Sequence, residues 1–262
     1  METKPKTVTL VDVHCHLDMK HFDKDREELV QTMKREKIIA LTNTISPDNY
    51  LYTKQLFEAH AGTVKVCPGL YPTEAHDISD KDLQEYCQQL RQCKEDFVGI
   101  GEIGLDKHES NDEKLFEKQK KGFRAMIELA IELDKPCFIH TRKAESEVLD
   151  ILAEYVEEKK FKKFCLHCFM GKKKLIKRIK ELGLYCSIPL IVLNTQSFQH
   201  LVEELPLTSI LVETDSPFLN PSKERNSPLN IPLIYDEIAR IKGYDKVELP
   251  LIVYNNYRRI TL

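Results

Sequence analysis

At 262 residues the chain can bury a sizeable core without staples, as one large domain or two small ones. Its 42% hydrophobic and 31% charged content is that of a globular protein, and its net charge of -3 excludes the long basic track of proteins that grip nucleic acid over many nucleotides. Residues 1–7 are polar, with Lys4 and Lys6, and predict no secretory signal; no stretch approaches the ~20 apolar residues of a membrane span. A cytoplasmic or nuclear protein with no membrane association and no obligate protein partner is expected, its eight scattered cysteines reduced and in the core.

In chain order, short apolar runs alternate with longer amphipathic ones. The run at 8–16 is followed by a helical pattern at 26–36, 38–44 by 47–61, and 64–70 by 79–94. Then come 97–103 with the long pattern 113–133, 136–140 with 144–158, and 163–169 with 172–182. The run at 184–188 precedes a weak helical stretch near 197–204, and 209–215 precedes a Pro/Asn-rich loop, 218–229, and a helix at 231–241. A tail near 250–259 also reads as helical.

Eight strand–helix units without a linker or internal repeat predict a single (β/α)₈ barrel spanning the chain, with a doubly wound open sheet as the alternative. The 218–229 loop, after the last strand, would form part of a barrel's active-site rim.

Five of the eight strands end in metal-ligand residue types. Strict alternation on the first strand puts Asp12, His14 and His16 on one face and turns Val13 and Cys15 toward the helices. The fourth strand ends at Glu102, the fifth at His140, the sixth at His167 and the eighth at Asp215. In a parallel barrel these C-terminal ends meet at one mouth. A lone buried histidine is usually a satisfied core residue. Four imidazoles and two carboxylates converging where Val, Ile and Leu normally pack need a compensating cation.

Nitrogen and oxygen donors without thiolates suit Zn, Mn, Fe or Co. Six donors exceed the three of a mononuclear catalytic zinc, so two cations are expected. One would take His14, His16 and Asp215, the other His140 and His167, with Glu102 bridging.

These residues sit in Asp12-Val13-His14-Cys15-His16-Leu17-Asp18, Gly101-Glu102-Ile103-Gly104-Leu105-Asp106, Ile139-His140-Thr141-Arg142, Leu166-His167-Cys168-Phe169-Met170-Gly171 and Glu213-Thr214-Asp215-Ser216-Pro217. In this order they resemble the signatures of the TatD-type metallo-dependent deoxyribonucleases, from residue 8 to about 241. Arg225-Asn226-Ser227-Pro228 is similar to that family's rim loop, and residues 253–259 match its closing helix loosely. The resemblance implies a (β/α)₈ barrel, two divalent cations (Zn, Mg or Mn), and phosphodiester hydrolysis with exonuclease character on DNA. It carries metal binding onto His14, His16, Glu102, His140, His167 and Asp215. One departure stands out: many members have a His-Pro pair after the third strand, where this chain has Tyr71-Pro72. Tyr71 would donate a hydrogen bond to phosphate in its place, or His76 would reach in from the loop.

Other features have plainer readings. Residues 99–104 fit G-x-G-x-x-G literally, but these glycines lie within a strand rather than at a helix start, and leave room beside the metals. Alternation sends Cys168 to the face opposite Cys165 and His167, which argues against a zinc clip and for core cysteines.

Arg142, just past the fifth-strand ligand, is expected to hold phosphate and otherwise to form a rim salt bridge, with Glu145 as partner. Lys172, Lys173 and Lys174 open a basic helix that reads as a solvated face, its first turn near the mouth. Asp12 and Glu213 are expected either to steady ligand imidazoles or to pack as structural polar groups.

The catalytic assignments are Asp215 as the residue that holds water and takes its proton, Glu102 as the bridge, and Arg142 as the phosphate clamp. Other functions remain open on sequence grounds: a barrel hydrolase of cyclic amides, esters or nucleobases, whose two-metal forms often bridge with a carboxylated lysine where this chain has Glu102, and a non-catalytic metal scaffold, for which a lost ligand would be the sign.

Overall fold

The computed structural model describes residues 8–110 and 112–262; residues 1–7, on which the secretory-signal expectation rests, lie outside the described residues. Strands β1 (Leu10–Cys15), β2 (Ile38–Asn43), β3 (Val64–Cys67), β4 (Ile100–Asp106), β5 (Cys137–Arg142), β6 (Phe164–Leu166), β7 (Tyr185–Ile188) and β8 (Ile210–Val212) follow one another around the sheet. Between them lie α1 (Arg26–Arg35), α2 (Pro47–Phe57), α3 (Asp80–Gln92), α4 (Glu113–Glu132), α5 (Glu145–Lys159), α6 (Lys173–Leu182) and α7 (Gln196–Glu204); α8 (Ile231–Lys242) and α9 (Leu249–Thr261) close the chain.

The helix starts follow local chemistry: Ser46, Ser79 and Asp112 accept backbone N–H bonds at the N-termini of α2, α3 and α4, while Gly183 and Gly243 end α6 and α8 in the left-handed conformation. The weak pattern at 197–204 is a well-formed helix, α7, with Phe198, Leu201 and Val202 buried. No described helix is long and apolar enough to cross a membrane.

All strand pairs are parallel, in two runs, β1-β2-β3 and β4 through β8. A parallel bridge between Leu70 and Ile103 joins the runs at one seam. At the other, Asp215 N–H donates to the His14 carbonyl (2.9 Å) and His16 N–H to that of Ser216 (2.7 Å). The ring closes as a (β/α)₈ barrel.

The core has two parts. Between sheet and helices lie Ile38, Ala40, Cys137, Ile139 and Val212, packed with the buried helix residues. In the lumen lie Val11, Val13, Leu41, Phe138, Cys165 and Leu211, capped by Tyr257 and Ile260 of α9. Asn256 of α9 donates to the carbonyls of Leu207 and Ile210, so this helix shuts the end where the strands begin and leaves the mouth open at the other.

Strict alternation on β1 fails. The register runs from Asp12 opposite Ala40 to Cys15 opposite Thr42, so Val13 and His14 share one partner position, a β-bulge. Val11 and Val13 therefore face the lumen, and the phase resets so that His14 and His16 both reach the mouth. Asp12 joins neither histidine side chain. It accepts from Thr214 N–H (2.9 Å) and Oγ1 (2.5 Å) and from His14 N–H (3.3 Å), tying β1 to the segment that carries Asp215.

Candidate metal centre

Glu102 is the hub of the mouth. It lies inside β4, which continues to Asp106 rather than ending at the glutamate. The strand can run on past it because Gly104 (φ 152°) lies against β5, where a Cβ would come within 2.0 Å of the His140 carbonyl oxygen. The other expected strand ends also shift: β5 runs to Arg142, while β6 and β8 stop before His167 and Asp215. The loop after β8 turns back at Asp215 (φ 53°), its backbone anchored to His14.

The structure brings all six predicted donors together, and the two oxygens of Glu102 divide them. Oε2 lies 3.5 Å from His14 Nε2 and 3.6 Å from His16 Nε2, which lie 3.8 and 3.5 Å from Asp215 Oδ1. Oε1 lies 2.8 Å from His140 Nδ1 and 3.0 Å from His167 Nε2, themselves 3.2 Å apart. Among the described residues His14 and His167 each keep buried ring nitrogens without a hydrogen bond, both of them in His14. The orphaned His14 Nε2 and the imidazole nitrogens and carboxylate oxygens packed this closely around Glu102 fit a divalent cation, because a bound cation gives the nitrogens that face the centre a partner.

Protonation in the metal-free centre follows from crowding. Burial opposes charge on His16, but its hydrogen bond to Asp215 and the charges of Glu102 and Asp215 outweigh that and raise it to about 9. The rings of His14 and His167 stack at 3.9 Å. Burial, then repulsion from His167, lowers His14; burial acts on His167 too, but Glu102 and Glu213 hold it well above the ordinary imidazole value. His140 is raised against burial by Asp106 and Glu102. Burial pushes Glu102 and Asp215 up, yet the surrounding imidazoles bring both below the ordinary carboxylate range. Burial raises Asp12 to about 7.

Around the donors, Glu213 accepts from Ser187 (2.5 Å) and the Cys168 N–H (2.9 Å), and stands 3.7 Å from His167 Nδ1, so it borders the imidazole of a candidate ligand while Asp12 does not. Tyr71 reaches the centre, its hydroxyl 3.4 Å from His140 Nε2; burial keeps it a neutral phenol. His76 does not reach in. Its Nε2 lies 3.0 Å from the Gln119 amide on α4, where the turn after β3 carries it. Arg142 is half-exposed and pairs with Glu109 (3.3 Å), not Glu145, whose carboxylate accepts the Lys143 N–H instead. Cys165 lies in the lumen, whereas Cys168 is partly buried and lines the cavity over the centre; all eight cysteines are free, six of them buried and Cys93 and Cys168 only partly so.

A cavity of about 590 Å³ opens over Glu102, His140, His167 and Asp215, and Arg142 lines it. Much of its wall is apolar: Met19, Ile45, Met170, Phe218 and Leu219. Lys172, Lys173 and Lys174 are exposed and do not line it, because α6 starts beyond the rim. Phe218 and Asp106 were not singled out from the sequence. Glu102 and Asp106 share strand parity, which marks Asp106 as a neighbour of the centre; Phe218 carries no such signal, since loop residues have no period.

Residues 11–261 match the model of the TatD related DNase family. The chain belongs to the TatD family. It is a metal-dependent hydrolase of that group, 32% identical over 261 residues to the human deoxyribonuclease TATDN3 (95% of this chain, 93% of the relative). An uncharacterized metal-dependent hydrolase from Methanocaldococcus jannaschii is 31% identical over 252 residues, 96% of each chain. Among solved structures, the TatD homologue YJJV of Escherichia coli superposes with a TM-score of 0.85 at 22% identity, over 97% of this chain and 98% of that one, and so shares the fold.

Proposed function

We propose that this TatD-family hydrolase, working as one domain, is a deoxyribonuclease that hydrolyses phosphodiester bonds from the end of a DNA strand with two divalent cations, zinc, magnesium or manganese. The observation that carries this reading is the split of Glu102 between two donor sets. His14, His16 and Asp215 would hold one cation, His140 and His167 the other, with Glu102 common to both. Divalent cations bound there supply Lewis acidity toward a phosphoryl oxygen and activation of water near neutral pH.

The protein's own groups do the rest. Asp215, ionised because the imidazoles around it offset its burial, accepts the proton of the attacking water at its carboxylate. Arg142 leaves Glu109 to grip a non-bridging phosphate oxygen. The Tyr71 phenol keeps its proton and gives it to Asp106 Oδ2 (3.4 Å), so it lines the cavity beside His140 without serving as a donor to the phosphate. Phe218, 45% exposed beside the centre, offers a face for a nucleobase, with Met170 across the apolar wall. A closed barrel entered only from its mouth takes a strand terminus more readily than the middle of a duplex. The name of the human relative supports DNA as the substrate.

The test incubates metal-reconstituted protein with end-labelled linear single-stranded DNA, its circular form, duplex DNA, and small phosphodiester, carboxylic ester and amide substrates. Progressive shortening of the linear strand, with the circle untouched, is expected. Hydrolysis of the ester or amide without any DNA turnover would overturn the nuclease reading, and equal cutting of circle and linear strand would overturn end entry.

A further inference from the structure

Each imidazole has two nitrogens and can turn only one toward the centre, so something must choose. For His16 a backbone carbonyl chooses: Nδ1 lies 2.9 Å from the Asn43 oxygen, which leaves Nε2 facing Glu102 and Asp215. For His140 the assignment is reversed. Nδ1 faces Glu102, and Nε2 lies 3.0 Å from Asp106 Oδ2.

Asp106 is fully buried at the end of β4 and is held from every side. Its Oδ1 accepts the N–H groups of His108 (2.6 Å) and Glu109 (3.3 Å). Its own N–H donates to Gln119 Oε1 and its carbonyl accepts from Gln119 Nε2, both at 2.9 Å. Oδ2 is left for His140 and for the Tyr71 hydroxyl, which donates to it at 3.4 Å. A carboxylate has no proton to give, so this oxygen accepts from a proton on Nε2. Glu102 Oε1, 2.8 Å from Nδ1, can accept from that nitrogen in the same way, but a cation shared with Glu102 needs the Nδ1 lone pair and leaves the ring proton on Nε2, facing Asp106.

We propose that Asp106, steadied by Tyr71, is a positioning residue that fixes His140 as an Nδ1 metal ligand. The inference rests on the metal role given to His140 above. It explains what Tyr71 does in this chain: the phenol lies beside His140 (ring centroids 4.9 Å apart) and covers the Asp106–His140 pair on the cavity side. It also links the two halves of the mouth. The turn that Asp106 caps carries Glu109, which pairs with Arg142, so one buried carboxylate sets both a ligand nitrogen and the resting place of the rim arginine.

The test compares wild type with Asp106→Asn and Tyr71→Phe by two readouts that do not depend on turnover. The first is the nitrogen-15 spectrum of the histidine side chains in zinc-loaded protein, with His140 assigned by its loss in His140→Gln. The second is competitive titration of each metal-free protein with Zn²⁺. Wild type should show His140 protonated on Nε2. The amide of Asp106→Asn can rotate to donate to Nε2, so the tautomers should mix, and one equivalent of Zn²⁺ should bind roughly 10- to 100-fold more weakly while the other is unchanged. Tyr71→Phe keeps the ring and removes one bond to Oδ2; it should shift the same equivalent by a smaller factor and leave the melting temperature intact.

Wild-type tautomer and Zn²⁺ affinity in Asp106→Asn would overturn the proposal. So would an equal loss of all bound zinc with a lowered melting temperature in Asp106→Asn alongside wild-type zinc binding in Tyr71→Phe, which would make Asp106 a structural clamp. Wild-type protein that binds no zinc in the titration would instead contradict the metal reading on which this proposal rests.

Discussion

Removing the metal from this protein should make its stability depend steeply on alkaline pH. His16 is almost fully buried, and in the metal-free centre Asp215 and Glu102 raise it to about 9 from an ordinary 6.5. A folded-state value above the unfolded one contributes stability that is complete below pH 6.5 and is lost as pH rises through 9. At ~1.4 kcal/mol per unit the loss from His16 alone is about 3 kcal/mol. His140 and His167, also raised, add in the same direction. A bound cation replaces those protons, so the loaded protein should lack this slope.

The assay is urea unfolding at pH 6.5, 7.5, 8.5 and 9.5, with and without metal, the difference between the two forms removing groups such as Asp12 that titrate in both. Calorimetric zinc binding at pH 7 in buffers of different ionisation enthalpy should show net release of at least about one proton, falling toward zero near pH 10. Parallel stability curves for the two forms, or no proton release at pH 7, would refute the account of charge in the centre.

Glu102→Ala should lose metal and lower kcat/KM by roughly 100- to 1000-fold, because a shared ligand supports several kcal/mol of charge stabilisation; full activity with one metal per chain would contradict the bridge. Arg142→Ala should lower kcat/KM by roughly ten- to hundredfold at unchanged metal content, as expected for a charged bidentate contact of about 1.5–3 kcal/mol. In Phe218→Ala, turnover of oligonucleotides with a terminal base should fall by roughly five- to hundredfold while strands ending in an abasic residue are spared; equal effects on both would remove the stacking role. Replacing Lys172, Lys173 and Lys174 together by Gln should change DNA turnover by no more than about twofold, since these side chains stand outside the cavity; a tenfold loss would place the strand's path across α6.

How much of this was legible in the sequence differs by level. The alternation of elements and the helix bounds were, because apolar periodicity and caps such as Ser79 and Asp112 act locally. The six donors were legible because parallel strands must deliver their C-terminal ends to one mouth. The bulge at Val13 and His14 was not: alternation has a period of two everywhere, and only pairing with β2 shows that two residues share one partner. That error misplaced Asp12, whose carboxylate serves Thr214. Loop side chains were the least legible. His76 and Tyr71 are five residues apart, and only the packing of α4 decides that Gln119 takes the first while the second turns to His140. Arg142 finds Glu109 rather than Glu145 because the turn after β4 folds back beside β5.

The account depends most on the division of Glu102 between two cations. Anomalous diffraction from crystals soaked in Mn²⁺ tests it directly. Two peaks are predicted, one among His14, His16 and Asp215 and one between His140 and His167, each touching a different oxygen of Glu102. A single peak, or a pair in which Glu102 contacts only one, would contradict it.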